Sequence, residues 1–285
     1  MPLLTANKLE EISPVFRGRA GNALAEGAMR LLAVDKVNEL YDRNSALKGP
    51  DFAAAVLDDI GMDYELRFVG IDSNHASYET LSSLIPDGPF ITISNHPCGH
   101  VDGISLVEVF GHIRTDYKVM VNKILGMIQP FEDSFIQVTP TGSSRTAPTA
   151  ASVSGIKAAL THLRSGGCLG LFPSGAVSDF SLKDRCVRDR EWQEAVIRLI
   201  MKAEVPVIPV RFFDGNSAFY YSLGLIDWRV RLLRLPSEVF NKKGMTMRIG
   251  IGEVISVEEQ KRFGNDVHAF RDYLRGSVYG MSLSV

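Results

Sequence analysis

From Pro89 onward the chain alternates short, nearly unbroken apolar runs with amphipathic stretches, and this alternation constrains the fold more than any other feature. The runs "PFITISN", "DYKVMVN", "SFIQVTP", "CLGLFPSG", "VPVIPVRFF" and "MTMRIGIGE" have the apolar, β-branched character of strands covered on both faces. Between them, "GISLVEVFGHI", "APTAASVSGIKAALTHLRSGG" and "REWQEAVIRLIMKAE" read as helices. In the last of these, Trp192, Ala195, Val196, Leu199, Ile200 and Ala203 fall on one face. "VEEQKRFGNDVHAFRDYLRGSVYG" reads as a closing helix. The pattern predicts an α/β fold, a mostly parallel or mixed sheet flanked by helices.

Upstream, Leu24, Ala28, Leu31 and Leu32 have helical spacing, and "GPDFAAAVLDDIG" predicts a short helix stopping at Gly61. "YELRFVG" predicts the first strand, followed by a helix-turn around "ASYETLSSLIPDG". The expected organisation is a helical N-terminal segment over 1–65 and an α/β domain over 66–285, with no repeats.

A chain of 285 residues, 45% hydrophobic and 22% charged, can bury a sizeable core. The formal charge of −2 gives no support to a nucleic-acid partner. Cys98, Cys168 and Cys186 are sparse and form no CxxC pair, which favours a reducing compartment over a disulfide framework or a zinc ribbon. The N-terminus carries charge throughout and lacks a signal peptide's apolar region, and no stretch approaches eighteen consecutive apolar residues. These features predict a cytoplasmic protein whose membrane contact is peripheral.

The chemistry concentrates in "ISNHPCGHVDG", residues 93–103, at the exit of an apolar strand. In α/β sheets catalytic groups gather at such exits. His96, His100 and Asp102 admit three readings. Asp102 could hold the His96 imidazole in one tautomer, leaving the other nitrogen to take a proton. The His-x3-His spacing with Asp102 could instead ligate a metal, although Pro97 and Gly99 disfavour the helix that would put both histidines on one face. Or Asp102 could simply cap the next helix. Cys98 as a nucleophile has only its proximity to His96 in its favour.

"NHPCGHVDG" resembles the first motif of the glycerolipid acyltransferases, with five residues between His and Asp where most members have four. That spacing is similar to a bacterial hemolysin-like subgroup linked to the synthesis of aminolipids (ornithine or glycine lipids). Three further segments resemble later motifs of the family in the right order: "KVMVNKILGMIQPFEDSFIQV", "LFPSGAVS" and "VPVIPVRFFDGNS". The N-terminal "VNELYDRNSALKGPDFAAAVLDDIGMDYEL" also looks like the hemolysin-like subgroup, so the resemblance covers most of residues 36–256.

The resemblance implies that His96 is a general base and Asp102 its orienter. An acceptor hydroxyl or amine on a lipid or aminolipid would attack the thioester of acyl-CoA or acyl carrier protein directly. No cofactor and no metal is implied, and no acyl-enzyme. Asn95, Phe172, Pro173, Ser174 and Gly175 belong to the matching motifs as substrate-binding candidates, with backbone N–H groups near Gly175 as oxyanion donors. In the glycerol-phosphate enzymes the third motif reads "FPEGTR", and its glutamate and arginine help hold the acceptor. Here Ser174 and Val177 stand in their places, which weakens the case for a phosphate-bearing acceptor. Lys123, Arg145, Lys183, Arg185, Arg188 and Arg211 are positive charges that could compensate. Arg211 stands out, because the end of a buried strand is a costly place for an idle charge.

"SAFYYSLGLIDWRVRLLRLPSEVF" interleaves Phe219, Tyr220, Tyr221 and Trp228 with Arg229, Arg231 and Arg234. Such interleaving suits a surface lying among lipid headgroups, and places the protein on the inner face of the cell membrane. The competing reading is that Leu225, Trp228 and Leu232 belong to the core. Two other functions remain open at this level: a metal-dependent hydrolase built on His96, His100 and Asp102, and a non-catalytic lipid-binding protein.

Overall fold

The computed structural model describes residues 33–70, 77–138, 150–226 and 228–283, together with Gly27. Leu24, Ala28, Leu31, Leu32 and Arg145 lie outside the described residues. The chain enters with α1 (Val34–Asn44) and α2 (Gly49–Asp59). Pro50 opens α2, where a missing N–H is harmless. Gly61 follows its end at φ 68°, a left-handed conformation that glycine adopts without strain.

β1 (Asp63–Phe68), α3 (Tyr78–Leu84), β2 (Ile91–Ser94), α4 (His100–Gly111) and β3 (Lys118–Asn122) come next. Two 3-10 turns, Lys123–Met127 and Gln129–Ser134, lead into β4 (Phe135–Val138). Then follow α5 (Ala150–Arg164), β5 (Leu169–Leu171), β6 (Asp179–Ser181), β7 (Cys186–Arg188), α6 (Glu194–Ala203) and β8 (Val207–Phe212). The described chain ends with α7 (Ala218–Ile226), α8 (Trp228–Glu238), β9 (Thr246–Ile251), α9 (Val257–Lys261) and α10 (Val267–Tyr279).

Among the described residues seven strands form one sheet in the order β1-β9-β8-β2-β5-β3-β4. β8, β2, β5, β3 and β4 run parallel. β9 is antiparallel to β8 and parallel to β1, so the sheet is mixed through that single reversal.

Strand alternation divides the interior into two cores. Ile91 and Ile93 of β2 join Leu163 of α5, Ile197 and Ile200 of α6, and Phe270 and Leu274 of α10. The opposite face packs Val119, Ile208, Val210 and Phe212 against Phe52 and Val56 of α2 and Val101, Leu106 and Phe110 of α4. The N-terminal helix α2 therefore shares the core of the sheet. It approaches α4 so closely that a Cβ at Gly111 would sit 2.6 Å from the Pro50 ring.

Three local expectations differ from the structure. The closing helix is broken in two: Gly264, at φ 52°, lies between α9 and α10, and Asp266 restarts the chain by accepting from the N–H groups of His268 and Ala269. Trp192 precedes α6 instead of lying on its face. Its indole is held by Asp189 at 3.0 Å, and Gln193 N–H by the Pro173 carbonyl at 2.9 Å, which keeps both residues out of the helix. Between β5 and α6 the chain forms the antiparallel β6–β7 hairpin, whose strands are too short to leave a period in the sequence.

Candidate active site

β2 ends at Ser94, and the side chain of Asn95 continues its pairing. Asn95 donates to the Phe212 carbonyl and accepts from the Phe212 N–H, both at 2.8 Å, which locks the end of β2 to the end of β8. His96 is then held through its backbone on both sides. Its N–H donates to Asp189 Oδ1 at 3.1 Å, and its carbonyl accepts from the Ser178 N–H at 2.8 Å. The imidazole stacks on Phe172, with ring centres 3.9 Å apart.

Gly99 turns the chain into α4 at φ 70°, with Leu235 of α8 packed 2.7 Å from where a Cβ would stand. The helix starts earlier than its apolar pattern suggests, so Asp102 lies within its first turn rather than ahead of it. The Asp102 carboxylate is wholly buried. Its Oδ2 accepts from His96 Nδ1 at 3.0 Å, from Cys98 N–H at 2.8 Å and from Gly99 N–H at 2.9 Å. A carboxylate can only accept, so Nδ1 carries the proton and Nε2 is the basic nitrogen. Among the described residues Nε2 makes no hydrogen bond.

The electrostatics follow from burial. Desolvation raises the Asp102 carboxyl above its usual range, and the His96 ring and the Cys98 amide act against that rise. Burial and the neighbouring His96 ring push His100 down to about 4, so it is neutral near pH 7. Burial pushes the Cys98 thiol up, and the group donates to the Asp214 carbonyl at 3.5 Å. A buried thiol of this kind is a poor nucleophile. Among the described residues no group of three or more His, Cys, Asp and Glu side chains converges as a metal site.

The Phe172–Ser178 loop packs beside His96, but several of its polar groups are turned inward. Ser174 Oγ donates to the Ala176 carbonyl at 2.8 Å, and the Gly175 N–H donates to the Phe172 carbonyl at 2.9 Å. The Gly175 N–H is thus engaged in its own turn, not directed at an oxyanion. Gln193 fastens the loop from outside through the Pro173 and Ser174 carbonyls.

Neither of two basic candidates bonds to His96 or Asp102 among the described residues. Lys123 is exposed at the start of the 3-10 turn after β3. Arg211 alternates with Val210 and Phe212 along β8 and points to the opposite face, toward α10. Its guanidinium donates to the carbonyls of Tyr279 and Met281 and stacks 4.7 Å from the Phe213 ring centre. The expectation that this charge has a partner holds, but the partner is the C-terminal backbone.

Arg231, expected on a lipid-facing surface, is buried. It pairs with Asp179 and donates to the Ser178 carbonyl at 3.0 Å, tying α8 to the end of the Phe172–Ser178 loop. Tyr220 and Tyr221 are also buried, and the Tyr221 hydroxyl donates to the Pro97 carbonyl at 2.9 Å. Other apolar residues of the hairpin stay outside: Phe219, Leu225, Ile226, Trp228 and Leu232 are exposed.

Two functional neighbours have no sequence signal. Asp189, between Arg188 and Arg190, reads as part of a solvated charge run, yet it is buried behind His96. Its carboxylate also accepts from Ser178 Oγ and Trp192 Nε1. Lys242 is buried with its ammonium on the Gly215 carbonyl, and its charge favours the ionised form of Asp102.

The model of a family described as acyltransferase matches residues 66–284. Two lyso-glycine lipid O-acyltransferases are similar over most of their length. The one from Bacteroides thetaiotaomicron is 25% identical over 234 residues, 79% of this chain and 78% of the relative. The one from Phocaeicola vulgatus is 24% identical over 229 residues, 78% of this chain and 74% of the relative. The crystal structure of the 1-acyl-sn-glycerophosphate (LPA) acyltransferase PlsC from Thermotoga maritima aligns with 86% of this chain and 88% of that chain. Its TM-score is 0.44 at 13% identity, too loose to bear on the site.

The depressed pKa of His100 has a consequence for stability. The unfolded chain protonates this ring below about 6.5 and the folded protein only below about 4, so stability is lost as pH falls through that interval. His100→Gln is expected to flatten the acid-side decline in melting temperature between those two values. An unchanged slope would contradict the assignment.

Proposed function

This chain belongs to the acyltransferase family, and from that premise we propose that it acylates the hydroxyl of a lyso-aminolipid. The acyl donor is a thioester, acyl-CoA or acyl carrier protein. The observation that carries the reading is the His96 Nδ1–Asp102 contact of 3.0 Å, which leaves Nε2 as a positioned base. His96 takes the acceptor hydroxyl proton as the oxygen attacks the thioester carbon. A new ester C–O bond forms, the C–S bond breaks, and the departing thiolate takes that proton from the imidazolium. Neither a side-chain nucleophile nor a metal is needed for these steps.

The acceptor class draws support from the two similar O-acyltransferases and from the Phe172–Ser178 loop. With Ser174 turned into its own loop and Val177 in place of an arginine, the loop offers no guanidinium to clamp a phosphate. A glycine headgroup has no hydroxyl of its own. The hydroxyl to be acylated then sits on the chain attached to nitrogen, and the carboxylate stays free.

We place the protein on the cytoplasmic face of the membrane, docked through the α7–α8 hairpin. No helix among the described residues is long and apolar enough to cross a membrane. Ile226 is 82% exposed and Trp228 51%, at adjoining ends of the two helices, which suits insertion among headgroups and acyl chains. Buried Tyr221 and Leu235 connect the same hairpin to Pro97 and Gly99, so an acceptor leaving the bilayer would arrive beside His96.

His96→Ala should lower acyl transfer to a lyso-glycine lipid by ~10²–10⁴-fold, the usual weight of a general base. His100→Ala should do far less, and lysophosphatidate should be a poor acceptor for the wild type. Mass-spectrometric turnover assays read all three, and equal losses in the two variants would contradict the assignment of His96.

The docking surface has its own test. Ile226→Ser with Trp228→Ser should reduce co-sedimentation with vesicles and leave the melting temperature unchanged. Arg231→Ala should lower the melting temperature, because it strips a buried partner from Asp179. Early melting of the Ile226/Trp228 double variant with normal vesicle binding would assign the hairpin tip to the core.

A further inference from the structure

Between the β6–β7 hairpin and α10 lies an open cleft of about 310 Å³, lined by Asp179, Ser181, Asp184, Asp189, Arg188, Arg190 and Arg275. Its carboxylates are already engaged. Asp184 accepts from Arg188 at 3.0 Å, and Asp179 accepts from Arg190 at 2.6 Å while also pairing with Arg231. Asp189 turns its carboxylate inward to His96, Ser178 and Trp192.

Arg275 is different. Among the described residues it has no carboxylate partner; its Nη2 donates to the backbone carbonyl of Asp189 at 3.0 Å. The guanidinium groups of Arg275 and Arg188 lie 5.3 Å and 5.8 Å from the centre of the same ring, Tyr279. The Nε–H of each is buried without an acceptor. These Nε–H groups are closed off from solvent, so a ligand in the cleft would meet the outer Nη groups.

The lining carries three guanidinium groups and three carboxylates. Arg188 and Arg190 are matched by Asp184 and Asp179, and the third carboxylate, Asp189, turns away, so Arg275 is left without a carboxylate on the cleft side. The planar fork of a guanidinium fits a carboxylate. We propose that this cavity is a subsite for the free carboxylate of the acceptor's amino-acid headgroup, anchored by Arg275 with Arg188 beside it. The proposal rests on the aminolipid reading above. Asp189 joins the subsite to the dyad: its carbonyl holds Arg275 and its carboxylate holds the His96 N–H.

Binding of two probes that differ only in headgroup charge tests this without turnover. Calorimetric titration of the full chain with N-dodecanoylglycine and N-dodecanoylglycinamide should show the acid binding about tenfold or more tightly, the weight of a charge-assisted hydrogen bond. Arg275→Met should bring that ratio to about one, whereas Arg198→Met, which removes an exposed charge on α6, should preserve it. Because the readout is a ratio within each variant, a uniform loss of folded protein does not alter it.

The proposal is overturned if the wild type does not discriminate, if Arg275→Met keeps the preference, or if Arg198→Met abolishes it equally. Tighter binding of dodecyl phosphate than of N-dodecanoylglycine would overturn the carboxylate assignment. A wild type that prefers the acid yet acylates no aminolipid would support the subsite and overturn the acceptor.

Discussion

One oxygen of Asp102 accepts hydrogen bonds from the His96 ring and from the Cys98 and Gly99 amides, and the geometry of the β2–α4 junction follows from it. The buried carboxylate depends on the lone pairs of this one oxygen being matched, because Oδ1 is buried with no hydrogen-bond partner among the described residues. Matching them requires the chain to reverse at Gly99 and bring two successive amides back onto a side chain in the first turn of α4. The same requirement fixes the imidazole tautomer. The dyad is thus a property of the turn as a whole, and the Asn95–Phe212 pairing transmits the rigidity of the sheet into it.

A second layer holds His96 from behind. Asp189 and Ser178 grip its backbone, Phe172 supports its ring, and Arg231 fixes the Ser178 carbonyl from α8. These residues come from separate parts of the chain, which the parallel sheet order gathers at the carboxyl ends of β2 and β5. The arginines divide into roles accordingly. Arg211 and Arg231 direct their hydrogen bonds into the fold, whereas Arg275 lines the cleft beside the β6–β7 hairpin with no carboxylate partner among the described residues.

Features that leave a period or a short-range spacing could be read from the sequence. The apolar runs gave the strands, and the five-residue interval between His96 and Asp102 spans one tight turn and the first turn of a helix. What could not be read depends on contacts distant along the chain. Asp189 looks solvated until the fold buries it, and Arg231 looks like a surface charge until Asp179 faces it across 52 positions of sequence. Arg211 shows how a sound energetic argument can still miss its target: the buried strand end does require a partner, but strand alternation turns the side chain toward α10. The reversal of β9 is likewise set by the α7–α8 hairpin, whose return direction has no local signature.

Chemical rescue of a His96→Gly variant tests the role of the base most directly. If the His96 Nε2 accepts the acceptor proton, added imidazole should restore acyl transfer in that variant saturably. The restored rate should follow the fraction of neutral imidazole, and the protein should acquire no acyl group during turnover. Failure of imidazole to restore the rate, with divalent metal ions restoring it instead or an acyl group accumulating on the protein, would contradict the account.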